Sequence, residues 1–186
     1  MRKLSVYNQV SLDGYFTDAN GEMGFAHPTR ADAEWDSFVA GNASGGGALV
    51  FGRVTYEMMA GFWPSAAARQ QMPVVAERMN NLPKVVFSRS LTEASWNNTR
   101  LMNGDIATQM KQLKAESGPD MVILGSGRLV GKLAACGLID SYQIVLLPIV
   151  LGGGRTLFEG TARLNLHLEG TRTFGNGNVL LSYTPR

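Results

Sequence analysis

Residues 121–137, MVILGSGRLVGKLAACG, constrain the fold more than any other stretch of the chain. Met121 to Leu124 is an apolar run with the length and composition of a buried strand. Gly125, Ser126 and Gly127 then turn the chain, and after Arg128 the residues Leu129, Leu133 and Ala134 recur at helical spacing. Gly137 stands where a C-cap glycine belongs. A strand, a glycine turn and a helix N-terminus in that order make an anion site. Unpaired backbone N–H groups point outward there, the helix dipole adds partial positive charge, and glycine lets a phosphate approach the backbone. Short glycine turns also precede helices that bind nothing, so this pattern alone leaves the ligand open.

Around this unit the chain alternates strands and helices. Residues 3–10 alternate as a strand, and 11–30, SLDGYFTDANGEMGFAHPTR, read as a long polar loop with Gly14, Gly21, Gly24 and Pro28. A loop of about twenty residues in a compact domain is more often functional than idle. Asp32 to Phe38 begins a helix with Trp35, Phe38 and Val39 on one face, and Asp32 is placed to cap it. GNASGGG (41–47) ends that helix; ALVFG (48–52) follows as a short buried strand, RVTYEMMAGFWP (53–64) as a helix, and 66–81 as a helical stretch interrupted at Pro73. PKVVFS (83–88) and NNTRLM (97–102) are strands, and 105–117 is a helix with Ile106, Met110 and Leu113 inward. After the opening unit, 138–154 reads as one long strand with Pro148 near its far end. RLNLHLEGTRTF (163–174) and NVLLSYTP (178–185) are strands joined across Gly175-Asn176-Gly177, a hairpin signal. The order implies an α/β fold: a central, mostly parallel sheet flanked by helices, with an antiparallel C-terminal hairpin at its edge.

Composition narrows the function classes. With 186 residues, 45% of them hydrophobic, the chain suits one globular domain spanning 1–186. A formal charge of +2 is too small for nucleic-acid binding by bulk electrostatics. No apolar run reaches membrane-span length, and the basic start Met1-Arg2-Lys3 leads into alternating residues rather than a signal-peptide core, so a cytoplasmic protein is expected. No His, Cys and carboxylate spacing suggests a metal site. The one cysteine, Cys136, excludes an internal disulfide and reads as a small buried residue of the helix.

In an open parallel sheet, ligands bind beyond the carboxyl ends of the strands. Three strands here end in phosphate-competent turns: FGRVT, SRS and GSGR. Each brings an arginine (Arg53, Arg89, Arg128) together with hydroxyls (Thr55, Ser88 and Ser90, Ser126). Arginine forks pair with phosphate oxygens, so three on one edge favour a ligand with several phosphates. A second glycine turn, LGGGR (151–155), lacks a following helical period and so has no helix N-terminus to offer.

The ordered set VSLDGYFTDANG, FGRVTYEMM, VVFSRS, VILGSGRLVGKL and GLIDSYQIVLLPIVLGGGRTLF resembles the dihydrofolate-reductase-like superfamily over nearly the whole chain. Its closer resemblance is to the branch holding the reductase domain of the bifunctional riboflavin-biosynthesis protein, the RibD C-terminal domain. The resemblance implies NADPH as hydride donor and a soluble reductase, often dimeric in that branch. By the family pattern Gly52, Arg53, Val54 and Thr55 would meet the adenosine phosphates, and Ser88, Arg89 and Ser90 the 2′-phosphate. Leu124, Gly125, Ser126, Gly127, Arg128 and Leu129 would hold the pyrophosphate, and Val10 would lie beside the nicotinamide. Asp32, in Asp32-Ala33-Glu34-Trp35, repeats the spacing of the acid that holds the pterin edge in dihydrofolate reductases, with a helix-cap role as its alternative. Asp13 in SLDG is the second candidate acid, with turn formation as its alternative. Trp35 and Phe25, with Trp63 and Met23, are candidate walls for a planar ring or core residues, and Arg155 is a substrate candidate. The expected activity is reduction of a pterin-like or aminopyrimidine heterocycle, with 5-amino-6-(5-phosphoribosylamino)uracil reduction as the named guess. A non-catalytic NADP(H)-binding sensor or accessory module is the alternative from another class. A flavin or sugar-phosphate protein would explain the cradle but not the ordered motifs.

Overall fold

The computed structural model describes residues 1–26, 31–44 and 47–186; Pro28 and the Gly45–Gly46 pair lie outside them. In chain order the elements are β1 (Leu4–Ser11), β2 (Tyr15–Thr17), α1 (Ala33–Ser44), β3 (Ala48–Gly52), α2 (Arg53–Phe62), α3 (Ala66–Gln71), α4 (Pro73–Asn81), β4 (Lys84–Phe87) and β5 (Thr99–Met102). They continue with α5 (Ile106–Ala115), β6 (Met121–Leu124), α6 (Gly127–Ala135), β7 (Ser141–Leu147), β8 (Arg155–Thr156), β9 (Leu166–Thr173) and β10 (Val179–Pro185). An eight-stranded sheet runs β5-β4-β3-β6-β1-β7-β10-β9. Pairs from β5 through β7 are parallel, and β10 is antiparallel to both β7 and β9, as the strand order of the sequence implies.

Strands β3 and β6 are apolar because helices cover the sheet there. In β3 the residues Ala48, Leu49, Val50 and Phe51 are all buried. On β1, Leu4, Val6 and Val10 pack into the main core with Ile123 of β6 and Leu129, Val130 and Leu133 of α6. A second cluster under α2 joins Phe51, Tyr56 and Trp96, and a third under α1 joins Trp35, Val145 and Phe174.

Two sequence expectations are corrected. The stretch 11–30 is not all loop: β2 pairs with β8 in a small second sheet, and Gly24–Ala26 forms a 3-10 turn. The helix beginning near Asp32 ends at Ser44, inside the 41–47 stretch expected to end it. The long strand 138–154 stops at Leu147, because Pro148 has no N–H to give a ladder, and the chain turns toward β8. Among the described residues no helix is long and apolar enough to cross a membrane, and no group of His, Cys or acidic side chains could hold a metal.

The amino ends of the strands are held by buried lysines. Lys114 donates to Asp140 at 2.5 Å and to the Leu138 carbonyl at 2.9 Å, while Asp140 also accepts from the Leu4 amide at 2.7 Å. Burial raises the Asp140 carboxyl, but its bonds to Lys114 and Leu4 outweigh this and hold it below the usual range. Lys84, 1% exposed, donates to the carbonyls of Asn80, Leu82 and Asn97 and lies 4.5 Å from the Trp96 ring centre. Burial pushes its ammonium down to about 8. The unfolded chain keeps that proton up to about pH 10.4. Between those values the unfolded state binds more protons, so this group makes stability rise with pH. Urea unfolding at pH 7.5 and 9.5 should show wild type gaining on Lys84→Met, by up to about 1.4 kcal/mol per pH unit. A pH-independent difference would contradict this.

Candidate functional site

The strands β3, β4 and β6 run parallel, with Gly52 opposite Phe87 and Val50 opposite Ile123. Their carboxyl ends therefore release the three arginine-bearing turns side by side. The turns enclose a cleft of about 420 Å³ lined by Gly52, Arg53, Phe87, Ser88, Arg89, Ser90, Ile106, Arg128, Leu129 and Lys132. A larger space of about 980 Å³ adjoins it through Ser88, Arg89, Arg128 and Lys132 and extends past Asn103 and Asp105 to Cys136 and Glu159. The three predicted arginines thus meet. Lys132 was not singled out from sequence, although its spacing of four from Arg128 places it on the same side of α6.

Two helices point their N-termini toward this edge. Both α2, entered through Gly52, and α6, entered through Ser126, lack a side-chain cap. Their first N–H groups and the dipoles behind them remain open to an anion. Among the described residues, no acidic side chain lines the smaller cleft. Glu57 pairs with Arg53 at 2.8 Å, but both are exposed, and such an i,i+4 pair is worth only about 0.3–0.5 kcal/mol. A phosphate could therefore compete for Arg53 cheaply.

The hydroxyls of these turns also hold the turns together. Ser126 Oγ accepts from the Gly52 amide at 2.9 Å and donates to the Leu124 carbonyl at 3.0 Å. Thr55 Oγ1 accepts from the Ser126 amide at 3.1 Å. These bonds tie the two helix N-termini together, and Asn8 adds a bond to the Gly125 carbonyl at 3.2 Å. Ser88 Oγ likewise accepts from the amides of Ser90 and Leu91, shaping its own turn. Thr55, Ser88 and Ser126 are buried and engaged, while Ser88 and exposed Ser90 also line the cleft. Ser126 sits at φ 60°, left-handed, as does Gly125 at φ 55°. A non-glycine residue there costs roughly 1–2 kcal/mol, a strain held by the bonds at both its N–H and its hydroxyl.

The candidate acids are also engaged. Asp13 accepts from Ser11 Oγ at 2.6 Å and from the amides of Leu151 and Gly152 at 3.1 and 2.8 Å. The Ser11 bond, with the two amides, holds its carboxyl below the usual range. Asp32 caps α1 through the amides of Trp35 and Glu34 and reaches the Asn176 amide at 2.9 Å. The Trp35 amide, then Asn176 and Glu34, hold its carboxyl low as well. Both groups are therefore ionised clamps at neutral pH and poor proton donors. Asp13 fastens the turn after β1 to the 148–154 loop, and Asp32 fastens α1 to the β9–β10 hairpin.

The remaining candidates fall elsewhere. Trp35, 3% exposed, packs edge-on to Phe174 at 5.1 Å, and half-buried Phe25 packs on the same cluster, so the structure gives both a core role. Val10 is buried in the main core, leaving only its backbone to meet a ring. Arg155 lies on β8 opposite Thr17 and does not line the cleft of cations. Val54 is exposed on the first turn of α2. Cys136, expected to be buried, is exposed at the C-terminal end of α6, beyond the apolar face of the helix.

The family model of the RibD C-terminal domain matches residues 2–180. A candidate riboflavin-biosynthesis protein of Shewanella sp. PV-4 superposes with TM-score 0.74 at 23% identity, covering 99% of each chain. A diaminohydroxyphosphoribosylaminopyrimidine deaminase/5-amino-6-(5-phosphoribosylamino)uracil reductase of Thermotoga maritima gives TM-score 0.70 at 13% identity, covering 100% of this chain and 57% of that one. Dihydrofolate reductase of Enterococcus faecalis, solved with NADP(H), gives 0.64 at 13% identity, covering 99% and 96%. The fold is dihydrofolate-reductase-like.

The close approach at the start of α6 is directly testable. A Cβ on Gly127 would stand 2.8 Å from Phe16 Cε1 and 3.1 and 3.2 Å from the carbonyl oxygens of Thr156 and Leu157. Gly127→Ala should cost about 1–3 kcal/mol in urea unfolding by prying α6 from the β2–β8 sheet. An unchanged midpoint would show that this contact is loose.

Proposed function

The chain belongs to the RibD C-terminal domain family, and from that premise we propose that it is an NADPH-dependent oxidoreductase acting on a pterin-like or aminopyrimidine heterocycle. Within that class, 5-amino-6-(5-phosphoribosylamino)uracil is the preferred named substrate, since a Thermotoga maritima protein of the same fold carries that reductase name. The observation that carries the reading is the convergence of two uncapped helix N-termini with Arg53, Arg89, Arg128 and Lys132 on one cleft. This donor set fits the phosphates of NADPH: planar guanidinium forks for a terminal phosphate and backbone amides for a pyrophosphate. The protein is further proposed to act as one domain in the cytoplasm. It is also proposed to form a homodimer through β9, which ends the sheet as an edge with Leu168 exposed.

NADPH when bound supplies hydride to the carbon of a C=N or C=O bond. The cations and helix termini fix its phosphates, while the turn clamped by Asp13 shapes the end of β1 beside Val10. The heteroatom must gain a proton. Because Asp13 and Asp32 are ionised and fully bonded, that proton is assigned to water. The same two saturated carboxylates favour a second reading, a module that binds NADP(H) without turnover.

Fluorescence titration should give NADPH at least about tenfold tighter than NADH, roughly 1.4 kcal/mol, with the preference lost in Arg89→Ala or Arg128→Ala. Failure to bind either nucleotide would sink the reading. Consumption of NADPH on addition of aminopyrimidines or dihydropterins separates enzyme from sensor.

A further inference from the structure

The core face of β1 carries Leu4, Val6, Asn8 and Val10, and the third of these is an amide only 2% exposed. Asparagine is depleted in strands, and a polar side chain buried among aliphatic ones costs folding free energy unless it is bonded. Asn8 is bonded outside its own strand. The ladder between β1 and β6 ends with Tyr7 opposite Leu124, so Asn8 comes one residue past its last pair. There its Nδ2 donates to the Gly125 carbonyl at 3.2 Å.

The other pole of the same peptide is held as well. The Gly125 carbonyl and the Ser126 N–H belong to one planar unit, and that N–H donates to Thr55 Oγ1 at 3.1 Å. Both flanking residues are left-handed, Gly125 at φ 55° and Ser126 at φ 60°. For a serine this conformation is strained. Rotating the shared peptide by half a turn relieves it, because a turn with two left-handed residues becomes one in which the first alone, here the glycine, is left-handed. Backbone preference therefore favours the rotated form, and the bonds from Asn8, Thr55 and the Ser126 hydroxyl oppose it.

The two forms differ in what they present to an anion. In a trans peptide the N–H and C=O point opposite ways, so the rotation exchanges them. The carbonyl oxygen, aimed at buried Asn8, would turn to the Thr55 side, against the first turn of α2. A carbonyl there sets the negative end of a dipole beside two helix N-termini that are otherwise open to an anion. Thr55 can follow the peptide round, since a hydroxyl that accepts from an N–H can also donate to a C=O. Removing the Asn8 amide, by contrast, leaves the carbonyl unpaired in a buried place and so drives the rotation.

We propose that Asn8 is a positioning residue for the cofactor: by holding the Gly125 carbonyl it keeps the glycine turn in the form that leaves the start of α6 open to a diphosphate. This rests on the cofactor reading above. Asn8 is buried and acts through the turn, so its effect is one of population. If the competent form falls to about a tenth of the molecules, apparent affinity falls about tenfold while the bound complex is unchanged.

The test compares wild type with Asn8→Leu, which is close in volume and lacks the donor. Calorimetry with NADPH and with inorganic pyrophosphate should show both ligands bound at least about tenfold more weakly by the variant. In amide proton–nitrogen spectra without ligand, the Ser126 and Gly127 signals of the variant should be displaced. At saturating NADPH they should return to the positions of the wild-type complex, which a merely loosened fold would not do. Should the leucine prevent folding, Asn8→Ala removes the donor without adding apolar bulk and carries the same expectations. Wild-type affinity in a folded variant, or signals that stay displaced at saturation, would overturn this proposal and leave the cofactor reading intact. If wild type itself binds neither ligand, the cofactor reading fails. In that case undisplaced Ser126 and Gly127 signals in the unliganded variant would overturn the hold on the turn as well.

Discussion

The cleft depends on one hydroxyl. Ser126 Oγ joins the Gly52 amide to the Leu124 carbonyl, and the Ser126 amide in turn bonds to Thr55. Without these bonds the N-termini of α2 and α6 would be two separate ends of weak field. With them, the ends are fixed side by side, and their partial positive charges add to the guanidinium groups around them. The left-handed backbone at Gly125 and Ser126 is the strained conformation that this arrangement requires. Gly127 and Gly131 serve the other side of α6, where added methyl groups would strike the carbonyls of Thr156, Leu157 and Glu159. Helix position is thus set from both sides before any ligand arrives.

The two ends of the sheet divide the work. At the amino ends, buried Lys84 and the Lys114–Asp140 pair consume their hydrogen bonds within the protein and hold loops to strands. At the carboxyl ends, cations and helix N-termini face a cleft. Buried charge with partners marks structure, whereas charge and polarity left open mark binding. Asp13 and Asp32 lie at the binding end but behave as structural groups, since each is surrounded by backbone donors.

Much of this was legible in the sequence wherever the signal was local. The 121–137 unit, the 48–52 strand and the C-terminal hairpin follow from apolar period and glycine placement, and the arginines follow from their position one turn past three strands. What escaped depends on distant partners. The Ser126–Gly52 bond spans 74 residues, and nothing around Ser126 distinguishes a clasp from a phosphate ligand. The β2 strand exists only because β8, about 140 residues away, pairs with it.

The most direct measurement is an amide proton–nitrogen correlation spectrum of the protein recorded with and without NADPH. The account predicts the largest shifts at the amides of Arg53, Val54, Gly127 and Arg128, where two helix N-termini meet, and their marked weakening in Ser126→Ala. Shifts confined to other parts of the chain, or an unaltered response in Ser126→Ala, would contradict it.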